Sequence, residues 1–146
     1  MTTGMPDFNS MFTWPVRVYY EDTDTGGVVF YANYLKFFER ARTEWLRHLG
    51  FSQQKLATET KTVFVVRNTA VDYLSPARLD DQICITVQIE KIGRASVIFM
   101  QEAWRTGNTA PVLLARGAIT IACVNIESFR PQSIPSDMLH LMQGSL

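Results

Sequence analysis

The chain is poor in the residues that carry most familiar enzyme chemistry. It has two cysteines, Cys84 and Cys123, and two histidines, His48 and His140, scattered widely over 146 residues. That spacing matches no zinc site. There is no Gly-x-Ser-x-Gly elbow, no glycine-rich phosphate loop and no dinucleotide fingerprint. Charge of one sign is also missing, because fourteen basic residues balance fourteen acidic ones. A chain with no net charge has no broad field to draw in nucleic acid or an anionic membrane, so neither is expected as a partner. No apolar run is long enough to span a bilayer. The stretch from Met1 to Phe12 lacks the basic start and apolar run of a signal peptide. Both cysteines sit among alternating apolar residues and read as small buried hydrophobes, which demands no oxidising compartment. A cytoplasmic protein is expected. Neither a metal nor an organic cofactor is implied.

What is present is a core. Apolar residues make up 47% of the chain and charged residues 19%, a globular balance. A single domain of this length buries roughly two-thirds of its unfolded surface. The Thr-, Gly-, Pro- and Asn-containing start reads as a flexible arm over residues 1–12, with one domain over residues 13–146. Trp14 to Tyr20 alternates like a half-buried strand, and Glu21 to Gly27 is loop chemistry. The period then changes. Tyr34, Phe38, Ala41, Trp45 and Leu49 recur at three- and four-residue steps, with Lys36, Glu39, Arg40, Thr43, Glu44 and Arg47 on the other face. This predicts one long amphipathic helix from about Ala32 to Leu49, stopped by Gly50. For its start, Asn33 as cap and a first turn nearer Phe30 both fit.

The rest reads as strands: Val63 to Tyr73, Ile83 to Glu90, Ala95 to Arg105 and Val112 to Val124, with a Pro-interrupted tail holding a helical turn near Met138. Short turns between the last strands predict an antiparallel meander with the helix laid on one face. Val97 to Trp104 is apolar on both alternating sets, so its second face is expected to meet another subunit or the tail.

One segment combines features that suit carbonyl chemistry. It runs Tyr20-Glu21-Asp22-Thr23-Asp24-Thr25-Gly26-Gly27 and on through Val28 to the helix start. The glycines let the backbone turn tightly and approach a ligand. A helix start offers free N–H groups to an oxygen gaining negative charge, and a carboxylate beside it can act on that carbonyl. A solvated loop with an acidic helix cap accounts for the same residues.

This run resembles the active-site signature of the 4-hydroxybenzoyl-CoA thioesterase family, especially its Tol-Pal-associated acyl-CoA thioesterase branch. The resemblance rests on Arg17-Val18, Thr23-Asp24, Gly27-Val28-Val29 and Tyr34. It continues through Phe38 to Glu44, Tyr73 to Asp81 and Ile134-Pro135. It implies an α+β hot-dog fold, an antiparallel five-stranded sheet wrapped around one long helix, assembled as a homodimer or tetramer with the active site at the dimer interface. It implies hydrolysis of an acyl-CoA, with Asp24 as nucleophile or general base and the backbone N–H of Tyr31 polarising the carbonyl. Asp22 falls at a neighbouring acidic position without a catalytic role. Gly27 and Val28 fall at substrate-binding positions, and Arg94 and Ser96, in the turn from Gly93 to Ser96, at a CoA-contacting one. An ordinary hairpin-turn role for Arg94 also fits. The Tol-Pal-associated branch usually carries His where this chain has Tyr31. An acyl-carrier or envelope-system partner fits the same resemblance. The rival reading is a non-catalytic oligomeric acyl-CoA or acyl-carrier binder or scaffold, since fold does not fix function. A hot-dog dehydratase is a weaker rival, because that chemistry wants a His near the loop and helix start.

Overall fold

A computed structural model describes residues 6–145. Strand β1 (Phe12–Arg17) leads into the long helix α1 (Asn33–His48) and a short helix α2 (Gln53–Glu59). Four strands follow, β2 (Thr62–Tyr73), β3 (Gln82–Ile92), β4 (Ser96–Thr106) and β5 (Val112–Asn125), and helix α3 (Ser136–Gln143) closes the chain. The five strands form one sheet in the order β1-β3-β4-β5-β2, and every neighbouring pair is antiparallel. Register shifts at Val66/Asn68, Ile89/Lys91 and Ala103/Trp104 mark places where a bulge bends the sheet.

Helix α1 follows from its periodicity. Tyr34, Phe37, Phe38, Ala41 and Trp45 form its buried stripe, joined by Leu46. Against it lie Ile83, Ile85, Val97, Phe99, Ile119 and Ile121 from the inner face of the sheet. Phe37 and Phe38 are fully buried, each contributing roughly 1.5–3 kcal/mol. Gly117 on β5 is what lets the helix come close, since a Cβ there would stand 3.1 Å from the Phe38 ring. One sheet around one long helix is the α+β hot-dog arrangement expected from the sequence.

Several details differ from expectation. Strand β1 starts at Phe12 and stops at Arg17, so Tyr19 and Tyr20 are exposed rather than part of the strand. The Asp22 carboxylate accepts the Tyr19 N–H at 2.8 Å and turns the chain into a short 3-10 segment, a local bond that competes with ladder pairing. Helix α2 was not anticipated. Of the arm expected over residues 1–12, residues 1–5 lie outside the described residues. Phe8–Ser10 forms a 3-10 turn, and the Phe8 ring meets Trp104 edge-on at 6.1 Å. That contact covers part of the second apolar face of β4. The tail does not cover it: Met142 of α3 lines the inner side with Leu46, Val97 and Ile121.

Inside the core, Arg42 is buried and donates to Gln101 Oε1 at 2.8 Å, while the Gln101 amide donates to the Phe38 carbonyl at 3.0 Å. Burial pushes the Arg42 guanidinium down to about 10, still charged at neutral pH. No helix among the described residues is long and apolar enough to cross a membrane.

Candidate active site

Residues 22–30 form a small hairpin between β1 and α1. Phe30 N–H donates to the Asp22 carbonyl at 2.9 Å, Asp24 N–H donates to the Val28 carbonyl at 2.9 Å, and Thr23 bridges Val29 between them. Gly27 closes the turn by donating to the Asp24 carbonyl at 3.0 Å with a φ of +80°, a conformation that favours glycine. The hairpin is fastened to the β2–β3 connection by Val29 N–H on the Ala77 carbonyl at 2.8 Å and by the Val28–Arg78 bridge.

This fold gives the two acidic residues opposite environments. Asp24 is exposed, and its Oδ1 accepts the Gly26 N–H at 2.8 Å and the Val28 N–H at 3.4 Å. Its Oδ2 has no partner among the described residues. One oxygen is thus held by the turn while the other is open. Asp22 is buried and has both oxygens engaged, by Tyr19 N–H and by the Asn33 amide at 2.6 Å.

The hairpin leads directly to the helix. Asn33 N–H donates to the Phe30 carbonyl at 2.8 Å and Tyr34 N–H to the Tyr31 carbonyl at 3.4 Å, so a first turn precedes α1. The cap position is Ala32, whose methyl group cannot accept a hydrogen bond, and Asn33 spends its amide on Asp22 instead of capping. The N–H groups of Tyr31 and Ala32 have no partner among the described residues, as befits an uncapped helix start. Beside them is a cavity of about 280 Å³ lined by Val28, Tyr31, Tyr34, Tyr73, Leu74 and Pro76. The rings of Tyr31 and Tyr34 stand 5.9 and 5.7 Å from that of Tyr73. Burial, with Tyr73 nearby, pushes the Tyr34 phenol up to about 12, and burial followed by Tyr31 raises that of Tyr73. Both phenols stay neutral at physiological pH and offer hydrogen bonds, not proton abstraction.

Asp24, Gly27, Val28 and Tyr31 therefore share one loop. Arg94 and Ser96 do not join them within the protomer. The turn from Gly93 to Ser96 lies at the far end of β3 from Gln82, which pairs with Arg17 next to the hairpin. Eleven residues of strand put about 30 Å between the two ends. The turn itself is tight: Gly93 N–H donates to the Ser96 carbonyl at 2.7 Å, and a Cβ on Gly93 would stand 2.7 Å from Ser96 Oγ. Arg94 is exposed, and its carbonyl accepts the Ile134 N–H at 3.0 Å. Sequence reasoning missed Asn33 as the partner of Asp22. Its signal was a polar residue on the buried side of the first helical turn. Among the described residues no three His, Cys, Asp or Glu gather as metal ligands would.

Residues 26–112 match the model of the thioesterase superfamily. The chain is 44% identical over 127 residues to the acyl-CoA thioesterase YbgC of Haemophilus influenzae, covering 87% of this chain and 90% of that one. A probable thioesterase from Bartonella henselae superposes with a TM-score of 0.78 at 34% identity, covering 86% of this chain and 99% of that one. A 4-hydroxybenzoyl CoA thioesterase complexed with 4-hydroxybenzoyl CoA superposes with a TM-score of 0.82. At 21% identity, over 89% of this chain and 96% of that one, this last likeness shows the fold alone.

Proposed function

The chain belongs to the thioesterase superfamily, and we propose that it hydrolyses an acyl-CoA thioester to a free acid and CoA, with Asp24 as nucleophile or general base. The observation that carries this reading is the pairing of a half-free carboxylate with an uncapped helix start on one short hairpin. The thioester carbonyl oxygen accepts the Tyr31 N–H, and negative charge building there is met by a fixed donor and the positive end of α1. Asp24 Oδ2 then acts in one of two ways. As nucleophile it bonds to the carbonyl carbon and expels CoA thiolate, leaving an anhydride that water splits. As general base it takes a proton from a water that attacks the same carbon, and the C–S bond then breaks to release CoA thiolate and the free acid. Gly27 and Val28 shape the approach to the carbonyl, and the acyl group lies in the apolar cavity beside Tyr34 and Tyr73.

The phosphates of CoA are the task assigned to Arg94 and Ser96. Since these lie about 30 Å of strand from the hairpin in one protomer, they serve the site only if a partner subunit brings its own copy across. Exposed Phe30, Tyr31, Val66, Tyr73 and Leu74 around the hairpin and along β2 support such an assembly. Light scattering at micromolar concentration is expected to give a dimer or a tetramer, and a monomer there removes Arg94 from the site.

The deciding experiment is thiol release over a panel of aliphatic and aromatic acyl-CoAs, with Asp24→Ala alongside. Release that depends on Asp24 is the expected result. Tight CoA binding with no release from any acyl-CoA would instead make the protein a binder or scaffold.

A further inference from the structure

Resting on the thioesterase reading above, we propose that the buried Asp22–Asn33 pair is a positioning clamp that sets the Tyr31 N–H donor and Asp24 relative to each other. Asp22 is 4% exposed and Asn33 8%, in a stretch where Tyr19, Tyr20, Glu21 and Asp24 all face solvent. A carboxylate in such a place costs solvation unless every lone pair in use finds a donor. Asp22 finds three. Oδ1 accepts the Asn33 amide at 2.6 Å, Oδ2 accepts Tyr19 N–H at 2.8 Å, and its carbonyl accepts Phe30 N–H at 2.9 Å. These bonds tie together the exit of β1, the second arm of the hairpin and the first residue of α1. No Lys, Arg or His within ion-pair distance of Asp22 is found among the described residues, so its charge is met by N–H donors alone.

The place of the clamp in the chain defines its effect. Asp24 is two residues after Asp22, and Tyr31 is two residues before Asn33. The Asp22–Asn33 bond closes the ring that contains both. Asp24 is also held by its own turn, through Gly26 and Val28. The Tyr31 N–H has no such local tether, and its direction is set by where α1 starts. Fixing Asn33 fixes that start. An aliphatic residue at position 22 would fill the space but would leave the Asn33 amide and Tyr19 N–H without acceptors. Misplacement of a reacting group by about 1 Å is enough to cost a hundredfold in rate. Asp22 touches no reacting atom and is a positioning residue.

The test reverses the polarity of the clamp in the full-length protein. In Asn33→Asp two carboxylates meet where donor and acceptor now stand 2.6 Å apart, and like charges at that distance repel. In the double variant Asp22→Asn/Asn33→Asp the new amide donates to the new carboxylate and its oxygen still accepts Tyr19 N–H. An acid at position 33 also suits the first turn of a helix. For Asn33→Asp, kcat on the best acyl-CoA is expected to fall about thirtyfold with KM within twofold. The double variant is expected to return kcat to within threefold of the parent. All rates are taken per folded molecule, from circular dichroism and thermal melts. A double variant as slow as the single one, a single one at parental kcat, or a loss that disappears on correction for unfolded protein overturns the clamp. If Asn33→Asp does not fold, Asn33→Ala, which only deletes the donor, replaces it, with an expected tenfold fall in kcat. Parental kcat in Asn33→Ala overturns the proposal equally. An Asp24→Ala control separates the two readings. If it stays active while the swap behaves as expected, Asp24 is misassigned and the clamp stands for the Tyr31 N–H alone. If the parent releases no thiol, both readings fall.

Discussion

At its C-terminal end helix α1 is tied off by three backbone bonds. Leu49 N–H reaches the Trp45 carbonyl, Gly50 N–H the Arg47 carbonyl and Phe51 N–H the Leu46 carbonyl, with Gly50 at a φ of +99°. Arg47 puts positive charge in the last turn, where the helix dipole favours it, and His48 packs on Phe12. The N-terminal end is left open: no capping side chain, two N–H groups without partners among the described residues, and exposed aromatic rings around them. Capping the N-terminal end with Ser or Asp would stabilise the helix by about 1 kcal/mol. Leaving it open forgoes that stability and supplies donors for a ligand. In the proposed mechanism one helix thus has a structural end and a reactive end, and substitutions at the two should separate stability from turnover.

The largest expected effect is at the reactive end. Asp24→Ala should lower kcat by about 10²–10⁴ while leaving the fold and oligomer intact, because the side chain makes bonds only within its own turn. Asp22→Ala should cost less. Thiol-release kinetics decide between them, and a near-normal Asp24→Ala with a dead Asp22→Ala would exchange the two roles. Next comes Arg94→Ala, at the far end of the sheet. The phosphates are remote from the scissile bond, so the loss should appear as a rise in KM of about tenfold to a hundredfold with kcat little changed. An unchanged KM would return Arg94 to an ordinary turn residue. At the structural end, Gly50→Ala forces a side chain into a positive φ. It should destabilise the protein by at least about 1 kcal/mol in chemical denaturation, with kcat unaltered. A fall in kcat per folded molecule would show that the two ends are not independent.

How much of this was legible in the sequence follows the same division. The buried stripe of α1 and the alternation of β3 to β5 are periodic signals, and periodicity is what burial writes into a sequence. Helix α2 has one buried residue, Leu56, so it leaves no period to read. Strand β1 slipped by two to three residues because the Asp22 carboxylate, not the alternation, decides where it ends. The motif placed Asp24, Gly27, Val28 and Tyr31 on one loop. It did not show that Asp22 is buried and Asp24 exposed, because two aspartates two residues apart look alike until the hairpin is folded. The buried Arg42–Gln101 contact was hidden for a related reason. A guanidinium in the core breaks the rule that charge faces out, and only the partner 59 residues away makes it tolerable.

The smallest expected effect is the sharpest test of the open helix end. If the thioester carbonyl is held by the backbone at Tyr31, the tyrosine hydroxyl is dispensable. The first N–H groups of a helix have no partner within it, and one aimed at a developing oxyanion contributes about 3–4 kcal/mol. A phenol, with a pKa near 10, is poorly matched to taking a proton at neutral pH. The Tyr31 side chain is 62% exposed and touches Phe30 and Tyr73 through its ring, contacts that phenylalanine keeps. Tyr31→Phe should therefore hold kcat within about threefold. Tyr31→Pro removes the N–H itself and should cost about 10²–10³, provided circular dichroism shows the fold intact. The contrast between the two variants carries the information, since both alter the side chain and only one alters the donor. A hundredfold loss in Tyr31→Phe would place the hydroxyl among the reacting groups. The helix end would then owe its reactivity to a side chain, and the contrast between the two ends of α1 would no longer be one of backbone bonds made and bonds withheld.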